Sequence, residues 1–301
     1  MISTTGLILY NLAFALLAAP LFAGITRRLR ARLHSRQGPP VLQPYHDILK
    51  LLGKTECRVT GDWAFRLAPM VVMAGAAAAA LMVPMGARAP LSFGGDGLVL
   101  IYLLTFSAIG TVLAGLSSHS PYAGVGASRE ITLLLVVEPV MAASFFTVAL
   151  RAGTLGLGQI AGHLAGAGFA PSLIIASFAS FLAMQAESAK LPFDIAEAET
   201  ELMGGPFVEY SGTPLAAFQW ALMVRHVVLA SFFVALFAGT PSLNSPVMAL
   251  LLHPVKVLIV LVLMEVVAAL SPRLRIGQAI RFYEGAGILA LAGLMFAIFG
   301  A

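Results

Sequence analysis

The chain has 301 residues, 59% of them hydrophobic and 11% charged, with a formal net charge of +4 and a mean hydropathy of +0.92. Soluble domains carry about 25% charged residues, so most of this surface cannot face water and a soluble enzyme is excluded. The positive charge gathers in one loop, which reads as membrane topology and not as nucleic-acid binding.

Taken in chain order, the apolar runs predict an all-α polytopic membrane protein of about eight transmembrane helices, near 5–25, 67–87, 98–118, 131–151, 170–187, 215–238, 247–270 and 284–300. Alternating strands of about ten residues are absent, which argues against a barrel. A dense basic cluster follows the first run, as expected of a retained span and not of a cleaved leader. The loop after that span, 26–66, holds Arg27, Arg28, Arg30, Arg32, Arg36, Lys50, Lys54, Arg58 and Arg66, and the loop after the seventh holds Arg273, Arg275 and Arg281. Even-numbered loops hold only Arg88 and Arg151. The positive-inside rule then makes the odd loops cytoplasmic and both termini periplasmic, in a bacterial inner membrane. No internal repeat and no low-complexity linker interrupts the chain, so residues 1–301 read as one integral membrane domain, and a repeat-built solitary transporter is disfavoured.

The first loop has structure of its own. In VLQPYHDILKLLGK, residues 41–54, the apolar side chains Val41, Leu42, Tyr45, Ile48, Leu49 and Leu52 form one helical stripe after the Gly38-Pro39-Pro40 break. The expectation is a cytoplasmic amphipathic helix, lying in the membrane interface or packed on a soluble partner. The lone cysteine, Cys57, follows it; with no CxxC and no HExxH, an iron–sulfur cluster or a nickel–thiolate site is excluded from this chain.

Ionisable residues inside apolar spans cost roughly 2.5–3.5 kcal/mol each. Glu138 lies in the fourth expected span, Glu187 ends the fifth, Arg225 and His226 are central in the sixth, and Lys256 and Glu265 occupy the seventh. The last two are separated by roughly 13 Å along a helix axis, so each needs a partner elsewhere. For any one of them an inert ion pair that fixes helix register is an open alternative. As a set, alternating acids and bases suit a proton relay, with Arg225 as a counter-charge and Lys256 as a group that titrates.

Between the fifth and sixth spans runs ESAKLPFDIAEAETELMGGPFVEYSG, residues 187–212. Six of the chain's fourteen acidic residues fall here: Glu187, Asp194, Glu197, Glu199, Glu201 and Glu209. A solvated helical face is the bland reading. Against it, Pro192-Phe193 and Gly204-Gly205-Pro206 force turns at both ends. The acidic cytoplasmic loop, 188–214, is therefore expected to fold back and line a cavity.

This segment resembles the signature loop of the subunit 1 family of respiratory complex I and its relatives in membrane-bound hydrogenases. Further matches are Arg36-Gln37-Gly38-Pro39 with Gln43-Pro44, Asp47 and Lys50; Ser128-Arg129 with Glu138; and Pro272-Arg273-Leu274-Arg275 with Gln278. The likeness covers essentially the whole chain. Within the family, GITRRLRARLHSRQGPP, VLQPYHDILKLLGK and GVGASRE are similar to the branch found in formate hydrogenlyase and hydrogenase-4 type complexes. The glycine-containing residues that the respiratory branch carries between Gly38-Pro39 and Gln43-Pro44, near its quinone cavity, are missing here.

The resemblance implies a proton-translocation-coupling membrane anchor with no cofactor of its own. NiFe and Fe–S centres would reside in hydrophilic large and small subunits and Fe–S proteins, and antiporter-like membrane subunits would complete the assembly. It also implies that Glu138 and Glu187 belong to a glutamate path, that Asp194, Glu197, Glu199, Glu201 and Glu209 line its entrance, and that Arg36, Gln43, Asp47, Lys50, Arg129, Arg273 and Arg275 meet the hydrophilic subunits. Burial logic adds Arg225, Lys256 and Glu265 to the path. Two readings stay open beside this one: a quinone-site subunit of a complex I-type NADH or ferredoxin:quinone oxidoreductase, and a purely structural anchor.

Overall fold

The computed structural model describes residues 4–57, 59–86, 88–164, 170–239 and 246–300; Arg58 lies outside them. The described residues form α1 (Thr4–Leu33), α2 (Gln43–Leu52), α3 (Trp63–Met82), α4 (Asp96–Ser117), α5 (Pro121–Ala152), α6 (Leu157–Leu164), α7 (Pro171–Glu187), the short α8 (Glu199–Leu202), α9 (Gly212–Phe237), α10 (Pro246–Leu270) and α11 (Ile276–Ile298). No strand occurs among them. Among the described residues seven helices are long and apolar enough to cross a membrane: α1, α3, α4, α5, α9, α10 and α11. The eighth expected span is α7, whose 17 residues sit at the short end of the spanning range. The protein is a multi-pass, all-helical membrane protein.

Helix starts follow local chemistry. Pro121 and Pro171 occupy first-turn positions in α5 and α7, where a missing N–H costs nothing. Asp62 caps α3 by accepting from the Ala64 N–H at 3.3 Å. Two helices begin well before their hydropathy runs, α5 at Pro121 and not near 131, α11 at Ile276 and not near 284. Their opening turns carry Arg129, Glu130, Arg281 and Glu284, polar residues that lengthen the helices without adding to the apolar run.

The helices share one sidedness. Arg151, ending α5, donates to the Gly300 carbonyl beyond α11 at 3.0 Å. At the opposite face, Ser211 at the start of α9 accepts from the Cys57 N–H at 3.0 Å, and the Leu274 N–H before α11 donates to the Pro192 carbonyl at 3.0 Å. That face, here the loop face, collects the 34–62 loop, the 188–211 loop and the α10–α11 turn. α9 is the most enclosed of the seven spans; Trp220 ties it to α1 through the Leu16 carbonyl at 2.9 Å.

α2 lies where an amphipathic helix was expected. Pro44 and Ile48 are buried against α1 and α9, while Leu42, Leu49 and Leu52 stay exposed. The loop before it packs tightly on α1: a Cβ at Gly24 would stand 1.8 Å from the Val41 carbonyl oxygen. A similar constraint folds the acidic loop. Gly205 has a φ of +56°, and a Cβ there would meet the Ala196 carbonyl oxygen at 2.0 Å.

Candidate functional site

A cavity of about 400 Å³ opens at the loop face between α1, α5, α7, α9, α10 and the acidic loop. Its walls carry six carboxylates (Glu130, Glu187, Asp194, Glu197, Glu199, Glu265) and five cations (Arg27, Arg30, Lys190, Arg225, Arg273), with His226 beside them. Near-equal numbers of opposite charges suit water and protons better than an apolar ligand.

Most of these charges are paired. Arg225, 2% exposed, donates Nη2 to Glu187 from the middle of α9. Glu265, buried on α10, holds two cations, Arg30 from α1 and Lys190 at 2.8 Å from the acidic loop. Burial drives the Lys190 ammonium below its usual range, and the charge and hydrogen bond of Glu265 work against that fall. Arg273 clamps the loop to the α10–α11 turn, donating to Asp194 at 2.7 Å and to the Thr200 hydroxyl at 2.9 Å. Gln185 donates to the carbonyls of Leu191 at 2.7 Å and Met264 at 3.1 Å, fixing the turn that follows α7. The His226 ring meets the Ser188 carbonyl at 2.9 Å.

Glu197 differs from these. Among the described residues its carboxyl makes no side-chain hydrogen bond or ion pair. Burial, then the negative charge of Asp194, pushes it up to about 8, with Arg225 opposing. It is therefore mostly neutral at pH 7 and sensitive to any new charge nearby.

Of the sequence-predicted pathway residues, Glu187, Asp194, Glu197, Glu199, Glu265 and Arg225 line this cavity together. Glu201 does not; it faces outward and accepts from Arg129 at 2.7 Å, a contact that holds its carboxyl below the usual range. Glu209 is not among the lining residues either. Glu138 lies in a separate groove between α4 and α5, with Tyr102, Leu135, Phe145 and Phe146, and accepts from the Thr105 hydroxyl at 2.8 Å. Lys256 is elsewhere again: its ammonium donates to the Ala238 carbonyl at 2.6 Å, satisfying the C-terminus of α9.

The partner-interface candidates fall into two groups. Arg129, Arg273 and Arg275 surround Glu201 at a neighbouring cavity of about 230 Å³. Gln43 donates to Asp47 at 2.8 Å on α2, and Arg27 reaches the same carboxylate at 3.6 Å. Arg36 and Lys50 are exposed. Among the described residues no group of three or more His, Cys, Asp or Glu is arranged to hold a metal ion.

Glu130 escaped the sequence reading. It follows Arg129 directly and precedes the apolar run of the fourth expected span, outside the run that marked buried charges. It stands eight residues before Glu138 on α5, about 80° away around the helix, so Glu130 faces the cavity while Glu138 faces the separate groove. Thr26, at the end of the α1 apolar stretch, also lines the cavity.

The family model described as NADH dehydrogenase matches residues 6–298. The chain belongs to the NADH dehydrogenase subunit 1 family. Among the family's curated members it is 41% identical over 275 residues to Hydrogenase-4 component C of Escherichia coli (strain K12), covering 86% of each chain. It is 39% identical over 239 residues to Formate hydrogenlyase subunit 4 of the same strain, covering 76% of this chain and 77% of the other. Similarity to a subunit of the NADH-quinone oxidoreductase of Anaplasma phagocytophilum (strain HZ) is lower, 33% over 247 residues, 72% of each. In three dimensions this family member superposes on a chain of the membrane-bound sulfane sulfur reductase, an archaeal respiratory membrane complex. The TM-score is 0.91 at 30% identity, over 98% of this chain and 99% of that one.

Proposed function

We propose that this subunit 1 family member anchors a multisubunit membrane-bound NiFe hydrogenase of the formate hydrogenlyase kind and couples its redox arm to proton movement. The observation that carries the reading is the gathering of six carboxylates from α5, α7, α10 and the acidic loop around one cavity at the loop face. The relatives at 41% and 39% identity support a hydrogenase partner. The six carboxylates and five cations around the cavity favour water and protons, and the hydrogenase relatives support a route without a quinone step. NiFe and Fe–S centres belong to the hydrophilic large and small subunits and Fe–S proteins, which meet the loop face around Arg129, Arg273, Arg275, Arg36, Gln43, Asp47 and Lys50. Antiporter-like membrane subunits pack against the spans. The loop face is cytoplasmic and the membrane is the bacterial inner membrane.

Coupling is electrostatic. A unit charge appearing about 10 Å away, at an effective dielectric of about 20, is worth about 1.7 kcal/mol, more than a tenfold change in a protonation equilibrium. Glu197, already poised near neutrality, takes up or releases its proton in response. The proton passes through Glu187 toward Glu138, whose groove between α4 and α5 gives on to the partner membrane subunits. Glu138→Gln and Glu187→Gln in the assembled complex are expected to lower the protons moved per redox turnover while the complex still assembles. An unchanged stoichiometry in both variants would end this reading.

A further inference from the structure

α11 is the least enclosed of the seven long spans. It packs on α5 and α7 through Ala279, Tyr283, Ala286, Ala290 and Gly293, which recur at three- and four-residue spacing. The opposite stripe, Gly277, Arg281, Glu284, Ile288, Leu291 and Met295, is exposed. Two of its members carry charge, and one of those is deep. Glu284 stands eight residues into α11, about 12 Å along the axis. Its neighbour Tyr283 donates to the Leu182 carbonyl at 2.7 Å. That places Glu284 level with the last turns of α7, whose final residue, Glu187, meets Arg225 in the middle of α9. Arg281, nearer the loop face, has a stem long enough to carry its charge to the membrane surface; the short glutamate stem cannot. Among the described residues neither side chain makes a hydrogen bond or ion pair.

We propose that this face of α11 seats a transmembrane helix of a second membrane subunit, and that the helix brings a lysine or arginine level with Glu284. The inference rests on the reading above that this chain sits among other membrane subunits. Acyl chains offer a carboxylate no hydrogen-bond donor, and a charge at this depth faces protein or water. Glu138, which also faces outward, has the Thr105 hydroxyl at 2.8 Å; Glu284 has no such partner among the described residues. A second copy of this chain is a poor occupant. Two copies related by an axis along the membrane normal would set Glu284 against Glu284 and Arg281 against Arg281, and like charges facing one another repel. A helix with a cation opposite Glu284 and a carbonyl or carboxylate opposite Arg281 answers both. The backbone permits its close approach. A Cβ at Gly277 or Gly285 would meet nothing within 4 Å, and small residues are where membrane helices come nearest one another. Further along α11, Ile288, Leu291 and Met295 continue the stripe with apolar side chains, a seam that a second helix covers.

The test uses the complete complex in its native membrane, with the photo-crosslinking residue p-benzoylphenylalanine in place of Ile288 and, separately, of Met295, each in wild-type, Glu284→Gln and Glu284→Lys backgrounds. Ultraviolet light is expected to join this chain to one membrane subunit, identified by peptide mass. Glu284→Lys sets cation against cation and is expected to lower the yield at least about tenfold, and to release that subunit when the complex is purified in mild detergent. Glu284→Gln is expected to lower the yield less. Lipid adducts alone, at equal yield in all three backgrounds, overturn the inference, as does a link to a second copy of this chain or to a hydrophilic subunit. A link to a membrane subunit whose yield is unchanged in Glu284→Lys overturns the role given to Glu284. If Glu284→Lys does not enter the membrane, Glu284→Gln decides, and an unchanged yield there overturns that role. A complex that purifies with no other membrane subunit overturns the underlying reading; lipid adducts from a complex that does contain them overturn the seat on α11 alone.

Discussion

At the scale of single residues, the cavity holds two kinds of carboxylate, and they respond oppositely to substitution. Glu197 binds its proton more tightly folded than unfolded, because burial and Asp194 raise it to about 8 from an ordinary value of 4.5. Between those two values the folded state carries more protons, so stability falls as pH rises, and the penalty is complete above about 8. Glu197→Gln removes the penalty. Thermal melting of the solubilised complex is expected to show the variant unchanged at pH 4 and more stable than wild type at pH 9; equal melting at both would show that Glu197 is not held neutral. Glu265 is the reverse case. Its removal strands Lys190 and Arg30 beside an amide, and losing one member of a buried charge cluster costs roughly 3–5 kcal/mol. Arg30 is 39% exposed and water takes up part of its share, which puts Glu265→Gln at the lower end, about 3 kcal/mol, read as a drop in melting temperature at pH 7.

At the scale of elements, the acidic loop is a folded object because its backbone leaves no slack. Gly205 in the left-handed region lets the chain pass over the Ala196 carbonyl, and Arg129, Gln185 and Arg273 fasten it to α5, to α7 and to the α10–α11 turn. Gly205→Ala adds both backbone strain and a collision with a carbonyl that cannot move freely. The expected cost is well over about 1 kcal/mol, with residues 195–208 becoming protease-sensitive while the transmembrane helices stay protected. How far such elements were legible depended on the kind of signal. Proline and glycine marked the turns of the acidic loop in the sequence, and the stripe from Val41 to Leu52 marked α2. The early starts of α5 and α11 were hidden because Glu130 and Glu284 break a hydropathy run without breaking a helix. Lys256 was assigned by chain position inside an apolar run and Glu138 by that and by the family resemblance, criteria blind to direction. The fold turns Glu138 toward an outer groove and leaves Lys256 at the C-terminal end of α9, whereas the cavity is set by which helix faces converge.

At the scale of the whole molecule, charge asymmetry and topology make one joint prediction. On the loop face the described helices and loops bring together Arg27, Arg28, Arg30, Arg32, Arg36, Lys50, Lys54, Arg66, Arg129, Lys190, Arg273, Arg275 and Arg281; the opposite face has Arg88, Arg151 and, at the C-terminal end of α9, Lys256. Moving so many cations across a bilayer is opposed by the same insertion cost that keeps basic loops on the cytoplasmic side. The loop face, with the cavity mouth, is therefore expected on the cytoplasmic side, where the proposed redox arm would assemble. The chain contains its own reporter. Cys57 is its only cysteine, is exposed, and sits on the loop face beside Ser211. After peripheral subunits are stripped with chaotrope, a membrane-impermeant maleimide is expected to label Cys57 of this chain in inverted vesicles and not in right-side-out vesicles, with Cys57→Ser as the blank. Labelling from the periplasmic side would place the carboxylate cavity on the wrong side of the membrane to receive electrons' counter-protons from a cytoplasmic arm, and the coupling route through Glu197, Glu187 and Glu138 would have to run in the other direction.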